Sequence, residues 1–277
     1  MNPRLLVATL ALCAAASTWL VAQPPAPAPG AGKGGGKGKG GPPSVSPLTV
    51  YHVPTGPAPK MTSGKPDLNG VWQRPYVPDV TRDAGANQKG SGPLPYTEWG
   101  KQQFDTYNAE NGDYTGACLP FGHSRGMNSP DPIQFMVTDK YFAFLYEQNS
   151  WFKVIPIGKE HDPDKVATWF GDSVAHWDGD TLVIDTINFN GYTRLDTNGH
   201  PQSDQLHLIE KLTRTDAGHI AYEMTVDDPK TYTKPWTNVR IFTLRTDWEI
   251  QEYSCEENNK GLVEGRIKVP NYDGPKK

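Results

Sequence analysis

Positive charge is short in this chain: 27 Lys and Arg stand against 31 Asp and Glu over 277 residues. That balance excludes nucleic acid as the principal partner, because phosphate binding needs a basic surface. The motifs G-x-x-x-x-G-K-[ST], H-E-x-x-H and C-x-x-C-H are absent; G-x-G-x-x-G is matched only inside the Gly/Lys-rich run 30–41, and G-x-S-x-G only at Gly122–Gly126 (GHSRG). The absences remove the motif-based case for nucleotide, zinc-protease and haem sites, while the two matches, one in a Gly/Pro-rich run and one in the loop 117–126, lack the strand–turn–helix context of a dinucleotide or α/β-hydrolase site. No spacing among the seven histidines suits zinc and no cysteine is spare, so neither a metal nor another cofactor is expected. No repeat of fixed period is present. Gly 28 and Pro 26 argue against a bundle of long helices. Disorder is excluded in turn by the 8 Trp, 12 Tyr and 9 Phe.

The run Leu5–Ala16 follows Arg4 and is too short to span a bilayer. Small residues follow it. Residues 1–22 therefore read as an export signal, cleaved after Ala16 or Ala22, with no transmembrane segment once it is removed. Cys13 follows Leu12 where a lipoprotein signal has a small residue, which argues against lipidation. Residues 23–47 hold 15 Gly or Pro among 25 and cannot bury a core, so they read as a disordered linker. Residues 48–277 are expected to be a single mainly-β domain. Four of the 27 cations and no acid precede residue 48, leaving 23 against 31, a net charge of −8. Export to the periplasm or beyond leaves Cys118 and Cys255 as the two mature cysteines. Two cysteines in an oxidising compartment are expected to pair. That bond would bring His123 and Arg125 toward the region of Glu257.

Thr97–Ala109 reads as a short helix capped by Thr97, with Trp99, Phe104 and Tyr107 giving an apolar face. Gly70–Arg74, Pro132–Val137, Tyr141–Tyr146 and Trp151–Ile157 read as strands. Three hairpins follow. Val174–Trp177 meets Asp180–Asn188 across Asp178-Gly179. Leu206–Thr215 meets His219–Asp228 across Asp216-Ala217-Gly218. Val239–Arg245 meets Trp248–Cys255 across Thr246-Asp247. Successive antiparallel hairpins with little helix predict a lipocalin-like β-barrel, the alternative being a β-sandwich.

The three-residue loop of the second hairpin sets its register. Arg214, Leu212, Glu210 and Leu208 face Ile220, Tyr222, Met224 and Val226. Glu210 is thus a carboxylate on an apolar face and needs a partner. His207 lies opposite Asp227 on the solvated face. The third hairpin pairs Arg240 with Tyr253 and Trp236 with Glu257. Arg240 and Glu210 would then be neighbours in one interior, as a buried ion pair or as groups orienting a ligand. His176 is a candidate base on the first hairpin. The loop Asp227–Trp236, with Tyr232 and two prolines, either touches ligand or plugs one barrel end.

The stretches PDLNGVW (66–72), HWDGDTLVIDTINFN (176–190), LHLIEKLTR (206–214), DDPKTYTKPWT (227–237) and YSCEENN (253–259) resemble a group of uncharacterised secreted bacterial proteins. That resemblance spans most of residues 66–259 and implies no activity. Gly70-x-Trp72 on a first strand is similar to the opening of lipocalin barrels. The expected function is binding of a small, partly apolar molecule. Glu210, Tyr222, Met224, Trp236, Arg240 and Tyr253 would line the site, with Tyr232 and Glu257 near its mouth. Two rivals stand beside it. One is a cofactor-independent lyase, hydrolase or isomerase using Glu210 or His176 as base and Arg240 as anion stabiliser. The other is a structural or accessory envelope protein. An empty interior of several hundred Å³ favours the first two readings and a filled one the third. The sequence leaves the oligomeric state open.

Overall fold

A computed structural model describes residues 50–109, 113–257 and 259–266 of the protein. The stretches read as an export signal with its cleavage sites (1–22) and as a linker (23–47) lie outside the described residues. Ten strands form one antiparallel sheet. They are β1 (Gly70–Gln73), β2 (Gln88–Lys89), β3 (Ile133–Val137), β4 (Tyr141–Tyr146), β5 (Phe152–Pro156), β6 (Asp172–Asp178), β7 (Thr181–Ile187), β8 (His207–Arg214), β9 (His219–Asp227) and β10 (Trp236–Leu244).

The order around the sheet is β5-β4-β3-β1-β10-β9-β8-β7-β6, with β2 attached to β10. Its end strands approach each other and join at Ile157↔Ala175, where the Gly158 amide donates to the Ala175 carbonyl at 2.7 Å. The result is a nearly closed nine-stranded barrel. It is not a simple meander, because β1 is inserted between β3 and β10.

Strict alternation explains the closure. Along β8, β9 and β10 every second side chain is buried, and those side chains fill the interior. Trp72, Phe135, Phe142, Phe144, Ile184, Leu212, Tyr222, Met224 and Phe242 are fully buried there. Phe135 meets Phe142 and Phe144 edge-on at 5.2 Å. At one end Arg214 lies 5.2 Å from the Trp72 ring and donates to the carbonyls of Asp67, Asp216 and Ala217.

Helix α1 (Glu98–Asp105) is capped by Thr97, whose hydroxyl accepts from the Gly100 amide at 3.0 Å. Two shorter helices follow, α2 (Gly122–Gly126) and α3 (Lys260–Val263). Cys118 and Cys255 are bonded, with Cα atoms 5.5 Å apart.

Two registers differ from expectation. The first hairpin turns on Gly179-Asp180, closed by Asp178↔Thr181. The slide of one residue on each strand keeps the faces as read, so His176 remains on the outer face and is exposed. The third hairpin does not form. Trp248–Cys255 is irregular, because the free edge of β10 is taken by β1 (Trp72↔Leu244) and β2 (Arg240↔Gln88). The turn after β10 is held by Arg245, which forks onto Asp247 and stacks 3.8 Å over Trp248. Tyr253 is consequently outside, 49% exposed, and Glu257 is exposed too.

Candidate functional site

Glu210 points into the barrel from β8, as the three-residue loop requires. It has no exposure at all. Its Oε1 accepts from the Tyr222 hydroxyl at 2.6 Å, and its Oε2 lies 2.7 Å from His123 Nε2. His123 Nδ1 is 2.6 Å from the Tyr146 hydroxyl. Burial lowers the His123 pKa and outweighs the opposing charge of Glu210, with Lys153 and Arg74 pushing the same way as burial, so the imidazole is neutral at pH 7. It then donates from Nε2 to the carboxylate and accepts at Nδ1 from Tyr146. Burial opposes ionisation of Glu210. The bond from His123, the charge of Lys153 and the Tyr222 hydroxyl outweigh it and hold the carboxyl below its usual range. Four side chains thus form one relay: Tyr146, His123, Glu210, Tyr222.

His123 reaches this position because α2 closes one end of the barrel. Gly122 begins it at φ +77°, and a Cβ there would stand 2.8 Å from Thr193 Oγ1 and 2.9 Å from the Trp169 carbonyl. The carbonyls at the end of α2 face two buried guanidiniums. Arg74 donates to Gly126 and Arg240 to Met127, the latter at 2.8 Å. Arg240 also donates to Asn238 Oδ1 at 2.9 Å and lies 5.5 Å from the Tyr222 ring centre. It makes no ion pair with Glu210. Lys153 enters from β5 and reaches Thr186 at 3.4 Å across the gap between β5 and β6. Burial pushes its pKa down to about 8.

Glu210, Arg240, Tyr222 and Met224 therefore share one interior, and that interior is filled. With no exposed surface, none of them borders a void that water could enter. Trp236 packs against Tyr232 at 5.5 Å, edge-on. The Tyr232 hydroxyl donates to the Pro201 carbonyl at 2.7 Å, so the loop before β10 packs as a plug. His176, Tyr253 and Glu257 lie outside the barrel. His207 bonds Asp185 at 2.9 Å and not Asp227, its register partner. Arg125 forks onto Asp113 with two bonds of 2.8 Å. The disulfide leaves Arg125 outside and turns His123 inward, away from Glu257.

Three interior partners carried weak signals in the sequence. His123 comes from an aperiodic loop, and Arg74 stands at the end of a four-residue strand. Lys153 was legible: in Phe152–Ile155 it shares inward parity with Ile155.

The outer face of α2 lines a cleft of about 360 Å³, bordered by Tyr76, Val77, Phe121, Arg125, Asn128 and Gln148. Asn128 donates to the Leu195 carbonyl, and its Oδ1 has no partner. Farther along the same side, Asp79, Asp196 and His200 bring ligand-type atoms within 4.8 Å of one another. Each carboxylate oxygen there already accepts two hydrogen bonds. Those of Asp196 come from Val80, Gly199 and His200. Those of Asp79 come from Thr81, Arg82 and Asn198. The grouping is a clamp between two loops, with the lone pairs of both carboxylates taken up by hydrogen bonds. Among the described residues, no helix is long and apolar enough to cross a membrane. Comparison with protein-family models and with curated proteins finds no match.

Proposed function

We propose that the protein is an exported binder of a small, partly apolar molecule, and that the ligand sits over α2 at the barrel mouth and not in the lumen. The observation that carries this reading is the contrast between a filled interior and the cleft above it. A volume of about 360 Å³ is that of a small-ligand site. Tyr76 and Phe121 give it apolar walls, while Arg125 and Gln148 offer polar anchors. The disulfide agrees with an oxidising compartment, periplasmic or extracellular. By the same contrast, the Glu210 relay serves to seat α2, the floor of the cleft.

The test is a fragment library screened by ligand-observed NMR against the wild-type chain and Ser129→Trp, which fills the cleft from its partly exposed rim. Hits lost in Ser129→Trp are expected. A screen in which no hit depends on residue 129 overturns the reading.

A further inference from the structure

The outer face of β3, β4 and β5 carries an apolar surface that no element covers among the described residues. Register places Met136, Ala143 and Val154 in one row across the three strands. Leu145 and Phe152 form the next row, and Tyr141 and Pro156 the row on the other side. Met136 is 51%, Tyr141 52%, Val154 54% and Phe152 68% exposed. The polar side chain among these rows is Gln134, uncharged, opposite Leu145. Charge appears only at the strand ends, with Asp139 and Lys140 at one and Glu147 at the other. An apolar centre with a charged rim is the anatomy of a protein interface.

We propose that this face joins two copies of the protein in a twofold dimer, sheet packed on sheet. Area is the first argument. The four most exposed side chains alone present roughly 400 Å² per copy, comparable with the largest apolar patch a monomer leaves bare. Two such faces together approach the roughly 1,000 Å² of a specific interface.

Charge is the second argument. The folded part carries −8, so two copies repel over most of their surfaces and meet most easily at an uncharged face. The same charge opposes docking on anionic lipid, and no basic ring surrounds the patch. Shape is the third. Ala143 sits between Met136 and Val154 and leaves a depression at the centre of the patch. A twofold axis between Ala143 and Val154 sets each copy's Val154 into the other's depression. Edge-to-edge pairing of β5 is blocked, because β6 already lies beside it. Face packing remains.

Sedimentation velocity on the mature chain from 1 to 100 µM tests the idea. A reversible dimer is expected, with Val154→Glu weakening it at least tenfold. Val239→Glu, on the outer face of β10, should leave it unchanged. Circular dichroism confirms the fold of each variant. Val154→Cys supplies an independent readout: a thiol-to-thiol crosslinker long enough for the roughly 10 Å spacing of packed sheets should join two copies through residue 154. A wild-type chain that is monomeric throughout overturns the proposal. So does a dimer indifferent to Val154→Glu, or one without a crosslink at position 154.

Discussion

Arg240 and Glu210 face the same interior from β10 and β8, and the link between them is Tyr222. The guanidinium lies 5.5 Å from the ring centre, while the ring's hydroxyl donates to the carboxylate at 2.6 Å. A direct ion pair, expected from the hairpin registers, is replaced by a shared neighbour. The carboxylate's closest basic partner is His123, at 2.7 Å.

This arrangement orders a double-mutant cycle. Glu210→Leu strands the His123 and Tyr222 donors and removes the anion that stabilises the buried charges of Lys153 and Arg240, so it should cost about 3 kcal/mol or more. Combining it with His123→Phe should recover much of that loss, whereas combining it with Arg240→Leu should recover little. Urea unfolding of the wild type, the three single variants and the two double variants reads the couplings. A larger coupling to Arg240 than to His123 would contradict the geometry.

Lys153 makes stability depend on alkaline pH. Its folded pKa of about 8 lies below the unfolded value of 10.5. Between those values the unfolded chain holds more protons, so stability rises with pH through that window. The full effect is about 3 kcal/mol. Above pH 10 the slope reverses. Burial holds Tyr146 and Tyr222 protonated in the folded state while the unfolded tyrosines ionise. Lys153→Met should be more stable than wild type at pH 7 and should lack the rise from pH 8 to 10. A wild type whose midpoint falls steadily from pH 8 would refute this.

The disulfide closes a separation of 137 residues and ties the segment before α2 to the chain beyond β10. Reduction should lower stability by about 2–5 kcal/mol. Intact mass after alkylation should show no added group without reductant and two with it. Two groups added to the unreduced, unfolded chain would show that the bond is absent in solution.

Gly122→Ala and Gly158→Ala form a controlled pair. Both positions have positive φ, +77° and +72°, but only at Gly122 would a Cβ meet other atoms within 4 Å. Gly158→Ala should cost about 1 kcal/mol, from φ alone. Gly122→Ala should cost at least twice as much and perturb the near-ultraviolet signal of the aromatics beside α2. Equal costs would mean that α2 does not press on Thr193 and Trp169.

What was legible in the sequence was local. The loop Asp216-Ala217-Gly218 fixed the register of β8 on β9, and that register put Glu210 inside among Leu208, Leu212 and Tyr222. The turn after β10 misled because its signal was equally local. Thr246-Asp247 follows an alternating strand, yet the edge it would have served is occupied by β1, which lies far away in the chain. No period reports such a pairing. His123 was hidden for a related reason. A five-residue helix has no repeat, and its inward turn is set by Gly122, the disulfide and two distant arginines.

The place of β1 has a consequence for timing. Trp72 pairs with Ile133 on one side and with Leu244 on the other, 172 residues later (72 to 244). β6 to β10 can zip up hairpin by hairpin through neighbours, which is fast, while a pairing between chain ends must wait for loop closure. The first strand to be synthesised is thus the last to find both partners. Until β10 arrives, an apolar strand holding Val71 and Trp72 stands with one edge bare. The interval is set by the length of the chain, and it is when the nascent protein most needs to be kept from its own kind.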